Sequence, residues 1–427
     1  ELQVASTTTP YVSTAAAHAP SAPCMSMGDT KLPEDAVTAT CIAPINMAVI
    51  KYWGKRDTKL VLPINSSLSG TLDAGAMRSR TKIIASRSFK GYNMSLNGKV
   101  VSVEGNKRLM AVIKALQAMA SPLEKAGKVI VKPEEWSQFG LRIISDNNFP
   151  TAAGLASSAS GLACFTRCLA AVYQIPDTKL TELTAVARQG SGSACRSLHG
   201  GFVQWKMGSK TDGSDSYAEQ IVDENHWPEM RVLVCVVSKG EKKTGSTLGM
   251  QQSVETSPLL KYRIEHVVPK RMDAMRKAVR DKDFGAFAEL TMADSNQFHA
   301  VCLDTMPPLF YMNDTSRDII EVINEFNAKE VKAAYTYDAG PNAAIYIQQQ
   351  HMEDCLKTLV KNFCPEGFDP KDFVYDPMGL SSFSMGKSAK SVAGASGFDY
   401  TKLPDSGVKM IIVTKVGSGA VVTEKSS

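Results

Sequence analysis

The chain has 427 residues, 44% of them hydrophobic, and its 48 lysines and arginines against 43 aspartates and glutamates leave a formal charge of +5 at pH 7. This length predicts two domains with well-filled cores, and so small and dispersed a charge does not indicate nucleic-acid binding, although it suits an anionic small ligand. No apolar run is long enough to cross a bilayer, none of the nine cysteines forms a Cys-x-x-Cys pair and the six histidines do not cluster, so we expect free thiols in a reducing compartment and neither membrane insertion nor a transition-metal site.

The first part of the chain predicts an extension followed by strands and a helix. Residues 1–35 are rich in Thr, Ala, Ser and Pro and do not begin with Met, so we expect a disordered or artificial extension. The pattern then predicts a strand at 37–43 and a turn at 44–46. The Asn-Gly pair within 95–100 predicts a hairpin with a type I′ turn. Apolar residues recur at helical spacing over 109–119, which predicts a helix that packs on a sheet.

Residues 147–161 join a predicted strand, 142–145, to a predicted helix, 162–173, through a run of small residues. Because large side chains are absent, the backbone N–H groups at the helix N-terminus can approach an anion, phosphate above all. The spacing matches neither the Walker loop nor the dinucleotide fingerprint. A helix start that merely packs closely is the alternative, and this segment alone does not decide between the two interpretations.

Beyond this loop, the pattern predicts a helix at 180–188 and a strand at 201–205. Around residue 225 the alternation of strands and helices starts again. We therefore predict an N-terminal domain of residues 36–225 and a C-terminal domain of residues 226–427.

The second domain is predicted to be an α+β unit. Its predicted elements are, in order, a strand at 231–237, helices at 259–281, 284–298 and 315–327, strands at 332–337 and 343–348, a helix at 352–363 and a last strand at 409–413. Asp314, Thr315 or Ser316 is suited to cap the third of these helices. Residues 379–397, rich in Gly, Ser and Ala, predict a flexible surface loop.

Two basic segments are unlike ordinary scaffold. In residues 46–57, Lys51 stands beside Tyr52 and Trp53, an arrangement that can bind phosphate oxygens while the rings limit water access; a solvated basic turn with the Trp53 side chain in the core is the alternative. In residues 188–197, alternating Gly and Ser precede Arg196, whose guanidinium can grip a carboxylate or phosphate with two bonds. Its apolar neighbours favour function over a flexible loop.

Two further segments remain open between function and ordinary structure. Asp338 lies where a predicted strand meets a Gly-Pro turn, which can aim its carboxylate at a reacting centre but is also simply good turn chemistry. Residues 246–250, after Lys242 and Lys243, can close over a phosphate tail or form an ordinary polar loop. No chemistry is assigned to His299, which has no metal-type partner at suitable spacing.

Four motifs occur in one order along the chain. They are Lys-Tyr-Trp-Gly-Lys-Arg-Asp at 51–57, Asn-Asn-Phe-Pro-Thr-Ala-Ala-Gly-Leu-Ala-Ser-Ser-Ala at 147–159, Gly-Ser-Gly-Ser-Ala-Cys-Arg-Ser at 190–197 and Tyr-Asp-Ala-Gly-Pro-Asn-Ala at 337–343. Together, from about Val37 to Gln349, they closely resemble the diphosphomevalonate decarboxylase family of the galactokinase, homoserine kinase, mevalonate kinase and phosphomevalonate kinase (GHMP) superfamily. The Gly-Leu-Ala-Ser-Ser core is shared across the superfamily, whereas the segments around Trp53 and Arg196 narrow the resemblance to the decarboxylases.

The resemblance implies an α+β, two-domain GHMP kinase-like fold, with an N-terminal ribosomal S5-like ATP-binding domain and a C-terminal ferredoxin-like α/β sandwich domain on either side of an active-site cleft. The implied reaction is ATP-dependent decarboxylation of (R)-mevalonate 5-diphosphate to isopentenyl diphosphate, releasing ADP, phosphate and CO2, in the mevalonate route of isoprenoid and sterol biosynthesis. Mg²⁺ is the implied metal. A homodimer is also implied, although the sequence does not itself fix the oligomeric state. Since no targeting signal is recognised, we expect a cytoplasmic protein.

The resemblance also implies roles for individual residues. Asp338 would accept a hydrogen bond or proton from the tertiary hydroxyl, Arg196 would hold the substrate carboxylate, Asn46 would position that arginine, and Lys51 would offset charge near the transferred phosphoryl group. The residues implied at the substrate, mainly at its diphosphate end, are Tyr52, Trp53, Gly54, Lys55, Ser191, Gly192, Ser193, Ala194, Cys195, Arg196 and Thr247, with Lys107 and Arg108 competing for one basic position. Those implied for the nucleotide are Ala153, Gly154, Leu155, Ala156, Ser157 and Ser158, with Ser158 also at the Mg²⁺ ion.

Two other functions are compatible with the same fold. One is a small-molecule kinase that phosphorylates and stops, against which Arg196 and the Trp53 segment argue. The other is a catalytically silent sensor, since a fold does not guarantee activity. Retention of Lys51, Ser158 and Asp338 together with Arg196 argues against the sensor.

Overall fold

The computed structural model describes residues 32–149, 157–237, 244–383 and 407–426. The described residues from Pro33 onward belong to one compact unit. Three predictions concern other residues: the extension is described only from residue 32, the centre of the small-residue loop at 150–156 lies outside the described residues, and so does the predicted flexible segment from residue 384 onward.

The N-terminal half is built on two larger sheets, two small two-stranded sheets and three α-helices. Its strands are β1 (Val37–Pro44), β2 (Asn46–Ile50), β3 (Lys55–Asp57), β4 (Leu62–Pro63), β5 (Ser67–Thr71), β6 (Arg78–Ser86), β7 (Tyr92–Leu96), β8 (Lys99–Ser102), β9 (Leu123–Lys125), β10 (Lys128–Val131), β11 (Gly140–Asn147), β12 (Phe202–Trp205) and β13 (Ala218–Val222). Its α-helices are α1 (Lys107–Ala118), α2 (Ser157–Val172) and α3 (Leu180–Gly190), and its 3₁₀ helices are Pro133–Gln138, Asp177–Lys179 and Gly192–Leu198.

The C-terminal half places helices around a third sheet. Its strands are β14 (Met230–Val236), β15 (Ala333–Tyr337), β16 (Ala343–Gln348), β17 (Val374–Tyr375), β18 (Met410–Lys415) and β19 (Val421–Ser426). Its α-helices are α4 (Ser246–Thr256), α5 (Pro258–Tyr262), α6 (Val268–Asp281), α7 (Phe284–Asp304), α8 (Asp314–Phe326), α9 (Gln349–Phe363) and α10 (Pro370–Phe373), and a π-helical turn, Arg263–Val267, joins α5 to α6.

The three larger sheets follow different strand orders. The first has the order β19-β1-β6-β11-β7-β8, the second β13-β12-β5-β2 and the third β15-β16-β14-β18-β17. Helix α2 packs across β1 and β6, and its apolar face joins the hydrophobic core beside the first sheet. Helix α7 packs against both β15 and β2. Helix α7 thus touches strands from both halves of the chain. Among the described residues, no helix is long and apolar enough to span a membrane.

Most predicted elements of the first half are present. The Asn-Gly hairpin is confirmed: Asn97 and Gly98 have φ values of 48° and 76°, as a type I′ turn requires, and Leu96 pairs with Lys99. The predicted turn at 44–46 is shorter than expected, because Asn46 already belongs to β2.

Strand β6, in the middle of the first sheet, was not predicted. Its inward positions begin with Ser79 and Thr81, both buried, so the strand does not show the apolar alternation on which strand prediction depends. The hydroxyls are satisfied inside the protein: Ser79 Oγ lies 2.8 Å from Ser160 Oγ, and Thr81 Oγ1 lies 3.0 Å from Ser145 Oγ. The polar face of this strand is therefore part of the interior.

In the second half, three predictions need correction. Residues 246–250 are not a polar loop but the start of helix α4, while Lys242 and Lys243 lie outside the described residues. The N-cap of helix α8 is Asn313, whose Oδ1 accepts from the Ser316 amide at 3.0 Å; of the predicted candidates only Ser316 takes part, its Oγ accepting from the Asn313 backbone N–H at 3.3 Å.

The strand predicted to be last, at 409–413, is followed by another. Strand β19 was missed because its outer side chains are mostly exposed and polar. It pairs antiparallel with β1, with Thr38 opposite Ser426. Residues from the far end of the chain therefore complete the first sheet, across the predicted domain boundary at 225, which stays a prediction.

Candidate active site

A cavity of about 970 Å³ opens between elements of the two halves. Most of the residues that the sequence nominates line it. They are Lys51, Tyr52, Trp53, Lys55, Arg108, Ser157, Ser158, Ser191, Gly192, Ser193, Arg196, Thr247 and Asp338. Motifs separated by nearly 300 residues in the sequence therefore meet at one surface.

Lys51 and Asp338 form an ion pair at the base of this cavity. Lys51 follows β2 and Asp338 follows β15, and Lys51 Nζ lies 2.7 Å from Asp338 Oδ1. The lysine side chain is 3% exposed and the aspartate side chain 34%. Burial lowers the pKa of Lys51 below its ordinary value, an effect that the Asp338 carboxylate opposes. The pair thus presents its carboxylate, rather than its ammonium group, to the cavity.

Arg196 lies buried in the cavity wall and is held by neutral groups. Its Nε donates to Ser69 Oγ at 2.8 Å and to Asn46 Oδ1 at 3.3 Å, and its Nη1 donates to Ser67 Oγ at 2.6 Å. Within the described part of the chain, Nη2 has no hydrogen-bond partner and no carboxylate lies within salt-bridge distance of the guanidinium. Burial lowers the pKa of Arg196. The negative charge of Asp338 is one of several effects that oppose this lowering. The fold therefore leaves one prong of a guanidinium available to an anion.

Asn46 has the position expected of a residue that orients Arg196. While its Oδ1 accepts from the arginine, its Nδ2 donates to Ser197 Oγ at 2.8 Å and to the Ser193 carbonyl at 3.0 Å. The two serines of β5, Ser67 and Ser69, were missed by sequence reasoning. Their alternation on one face of a strand was the available signal.

Trp53 borders the cavity but is mainly an anchor for helix α4. It is 2% exposed, its indole N–H donates to Ser253 Oγ at 2.9 Å, and its ring meets that of Phe298 edge-on at 4.9 Å. The alternative interpretation, with Trp53 in the core, thus describes its side chain well. Gly54 turns the chain with a φ of 99°, where a Cβ atom would come within 2.3 Å of Ile64 Cδ1.

The Gly-Ser segment divides into residues that line the cavity and residues that lie behind its wall. Ser191, Gly192 and Ser193 line the cavity, whereas Ala194 and Cys195 are fully buried and do not. Cys195 Sγ donates to the Gly192 carbonyl at 3.0 Å, and burial raises the pKa of the thiol to about 12. Cys195 is therefore a neutral packing residue behind the wall.

The structure distinguishes the two basic residues at the start of α1. Arg108 lines the main cavity, and its Nη2 donates to Thr247 Oγ1 at 3.3 Å across the opening. Burial lowers the pKa of Lys55, and the positive charge of Arg108 lowers it further. Lys107 lines a separate surface depression. Arg108 is therefore the basic residue that stands with Lys55 and Thr247.

Of the predicted nucleotide loop, only its flanks are described. Ala153, Gly154, Leu155 and Ala156 lie outside the described residues, whereas Ser157 and Ser158 begin α2 and line the cavity. Ser158 Oγ lies 3.4 Å from Ser191 Oγ.

Buried hydrogen bonds tie the two flanks together. Ser79 Oγ donates to Asn147 Oδ1 at 2.6 Å and lies 2.8 Å from Ser160 Oγ, so one β6 hydroxyl contacts the residues before and after the loop. The ends of the segment predicted to bind phosphate are therefore fixed relative to the first sheet.

The donors in the cavity suit Mg²⁺ that arrives with a nucleotide. Mg²⁺ prefers hard oxygen ligands and usually keeps several waters, binding through one or two protein groups and substrate phosphates. The Ser158 hydroxyl, at the start of α2, is such a group. Among the residues described here, no group of three or more His, Cys, Asp or Glu forms a dedicated metal cage.

His299, to which the sequence analysis assigned no chemistry, lies near the ion pair. It is 5% exposed, and burial, together with the charge of Lys51, lowers its pKa to about 3. The imidazole is therefore neutral at physiological pH.

Comparisons with known proteins converge on one family. The family model described as the mevalonate 5-diphosphate decarboxylase C-terminal domain matches residues 232–423, and that of the diphosphomevalonate decarboxylase-like N-terminal domain matches residues 43–218. The diphosphomevalonate decarboxylase of Ganoderma lucidum is 51% identical over 387 residues, which are 89% of this chain and 94% of that protein.

Solved structures have the same fold. Mevalonate diphosphate decarboxylase from Trypanosoma brucei superposes with a TM-score of 0.78 at 35% identity, over 91% of this chain and 98% of that one. MDDEF in complex with MVAPP, AMPPCP and magnesium superposes with a TM-score of 0.69 at 27% identity, over 91% and 99%. The α+β, two-domain GHMP kinase-like fold expected from the sequence is thus confirmed.

Proposed function

The chain belongs to the diphosphomevalonate decarboxylase family, and from this premise we propose how its cavity converts mevalonate 5-diphosphate and ATP into isopentenyl diphosphate, ADP, phosphate and CO2. One observation carries the proposal: Arg196, buried without a carboxylate partner among the described residues, lines the same cavity as Asp338. A buried guanidinium with one nitrogen open to the cavity is suited to hold the carboxylate of the substrate until it is lost as CO2.

The first step is phosphorylation of the tertiary hydroxyl, because an alcohol is a poor leaving group. Asp338 accepts the hydrogen bond from that hydroxyl, and its partial exposure and 2.7 Å bond to Lys51 support this role. Lys51 holds the carboxylate in one orientation and offsets negative charge as the phosphoryl group arrives. The same pair therefore orients the nucleophile and stabilises the transferred charge.

The second step breaks two bonds of the phosphorylated substrate. As the phosphate leaves with its electron pair, the bond to the carboxylate breaks and its electrons form the alkene, releasing CO2. We infer that Nη2 of Arg196 binds the carboxylate and aligns that bond with the departing phosphate. Its neutral partners, Asn46, Ser67 and Ser69, fix the guanidinium without competing for its charge.

The remaining cavity residues bind phosphate groups. Ser157 and Ser158, at the start of α2, are suited to the nucleotide, and Lys55, Arg108 and Thr247 to the diphosphate. Ser158 would hold Mg²⁺, which when bound neutralises phosphate charge during transfer. A similar solved structure, MDDEF in complex with MVAPP, AMPPCP and magnesium, supports the use of a nucleotide and Mg²⁺ by this family.

One assay separates the three candidate functions. With Mg²⁺, ATP and mevalonate 5-diphosphate, we expect ADP, phosphate and CO2 in equal amounts. ADP with a phosphorylated acid and no CO2 would identify a kinase, and no turnover would identify a binding protein. An Asp338→Asn variant should lose turnover by at least about 10³-fold while its affinity for ATP stays nearly unchanged, measured by calorimetry. Substantial remaining activity would rule out the assigned role of Asp338.

The homodimer, the cytoplasmic location and the domain boundary at residue 225 remain predictions. Size-exclusion chromatography with light scattering tests the first. The role in isoprenoid and sterol synthesis rests on the proposed reaction, because isopentenyl diphosphate is its product.

A further inference from the structure

Two consecutive residues of helix α7 hold the two chain segments that carry the ion pair. Asp294 Oδ1 accepts from the Lys51 backbone N–H at 2.8 Å, and Ser295 Oγ accepts from the Tyr337 backbone N–H at 3.0 Å. Tyr337 directly precedes Asp338. Adjacent residues of α7 therefore bond to the backbone at Lys51 and to the backbone just before Asp338, in addition to the direct bond from Thr336 Oγ1 to the Ala48 carbonyl.

Asp294 is itself held rigidly. Its two oxygens accept from Arg263, Oδ1 from Nη2 at 2.7 Å and Oδ2 from Nη1 at 2.8 Å, and both side chains are fully buried. Arg271 adds a 3.2 Å bond to Oδ2. Although burial alone would raise the pKa of Asp294, the charge of Arg263 lowers it below its ordinary value. Asp294 is thus a fixed, buried carboxylate that does not line the cavity.

The Lys51 peptide is held from its other side as well. Its carbonyl accepts from Asn65 Nδ2 at 2.9 Å and from Arg263 Nη2 at 3.4 Å. Since Arg263 also binds Asp294, the N–H and C=O groups of Lys51 connect to one buried cluster. The lysine backbone has little freedom to move relative to α7.

Ser295 plays the same part for the opposite strand. It is 1% exposed, and its hydroxyl oxygen reaches β15 at the final residue of the strand. The Tyr337 ring is anchored independently, since its hydroxyl donates to the Ser316 carbonyl at 2.8 Å. Loss of the Ser295 bond would therefore release the backbone before Asp338 while the ring stays in place.

We propose that Asp294 and Ser295 are positioning residues that fix the distance between Lys51 Nζ and Asp338 Oδ1, and with it the geometry of phosphoryl transfer. Neither residue lines the cavity, so neither contacts the substrate in this assignment. The proposal rests on the proposed function for its kinetic consequence. Its geometric consequence is independent of which reaction the cavity performs.

The test compares hydroxyl removals on one helix. Ser295→Ala should lower kcat about tenfold and leave both KM values within about twofold, because alignment rather than binding is lost. Ser295→Thr, which keeps the hydroxyl, should recover most of this loss. Thr291→Val is the matched control: Thr291 is also buried on α7, but its hydroxyl donates only to the Phe287 carbonyl of its own helix, at 2.7 Å.

Asp294→Asn should lower kcat about 100-fold. Where this variant fails to fold, because Arg263 loses its counter-charge, Ser295→Ala carries the test alone. Crystal structures give a readout without activity: the Nζ to Oδ1 distance should lengthen in Ser295→Ala and stay unchanged in Thr291→Val. A kcat for Ser295→Ala equal to that of the control, or an unchanged distance, would overturn the proposal. A wild-type protein that releases no CO2 refutes the proposed function instead, and leaves the distance comparison to decide this inference.

Discussion

Two buried arginines show how one side chain is used in opposite ways. Arg196 and Arg263 are 3% and 0% exposed. Arg263 forms two short bonds to the Asp294 carboxylate, so its charge is compensated within the fold. Arg196 is held by two serines and an asparagine, which are neutral. Both arginines are buried, so the two differ in the charge of their partners and in their access to the cavity, which Arg196 lines and Arg263 does not.

The two arrangements differ in what they contribute to stability. Burying a charge without a counter-ion reduces the stability of the folded state, so replacing that charge by an apolar side chain need not destabilise the protein. Replacing one member of a buried ion pair is strongly destabilising, because the other charge loses its main partner. Arg196 is therefore expected to reduce stability in return for function. Arg263 is expected to be required for folding, and to act on the reaction only through the residues it holds.

The largest expected effect comes from removing the uncompensated charge. Arg196→Met should lower kcat by about 10³-fold, because the substrate carboxylate loses its partner, and should leave the free energy of unfolding unchanged or higher. Arg188→Met is a suitable control, since Arg188 is also buried but does not line the cavity. Kinetics and urea unfolding on both variants make the comparison. A large loss of stability in Arg196→Met would show that its charge is compensated after all.

Removing the compensated charge should mainly affect stability. Arg263→Met removes the two-bond partner of the buried Asp294 carboxylate and leaves it only the longer bond to Arg271, so the free energy of unfolding should fall by about 3 kcal/mol, measured by urea denaturation. The double variant Arg263→Met, Asp294→Leu should be less destabilised than the single one, because no buried carboxylate remains at that site. If the single variant were as stable as wild type, the assigned difference between the two arginines would not hold.

A smaller effect is expected from His299, a buried base that the fold keeps neutral. Because burial lowers its pKa from 6.5 to about 3, the unfolded chain takes up a proton below pH 6.5 while the folded chain does not. The contribution of the neutral His299 side chain to the free energy of unfolding is fully present above pH 6.5 and is lost as the pH falls toward 3. Between pH 7.5 and 5, the free energy of unfolding of the wild type should fall by about 2 kcal/mol more than that of His299→Gln.

The control for this measurement is His266→Gln, since the His266 side chain is 56% exposed. It should follow the wild-type dependence of unfolding free energy on pH. Identical pH dependence in wild type and His299→Gln would mean that the imidazole is protonated in the folded state as well.

Sequence reasoning found Arg196 and missed Arg263, because local sequence reveals only features that do not depend on tertiary contacts. Arg196 lies in a Gly-Ser segment whose composition is unusual, so it can be recognised locally. Arg263 and Asp294 each lie in ordinary helical sequence, and their pairing appears only when α7 packs on the preceding helical run. Ser67 and Ser69, which hold Arg196, are more than 120 residues away from it in the chain.

The elements show the same limit. The hairpin at Asn97 and the amphipathic helices α1 and α8 were predictable, because local turn chemistry and apolar periodicity determine them. Strand β6 was not, since its buried face begins with Ser79 and Thr81 and becomes a strand only between β1 and β11. Local patterns predict what a segment can form alone, and tertiary partners decide the rest.

The pairing of β1 with β19 has a consequence for how the protein is made. Thr38 Oγ1 meets Ser426 Oγ at 2.7 Å, although the two residues are 388 positions apart. On the ribosome, β1 is synthesised long before β19, and its outer edge stays without this partner until the residues between the two strands have followed. An open strand edge can pair with other nascent chains, so the order of synthesis exposes the first sheet to misassembly until β19 emerges.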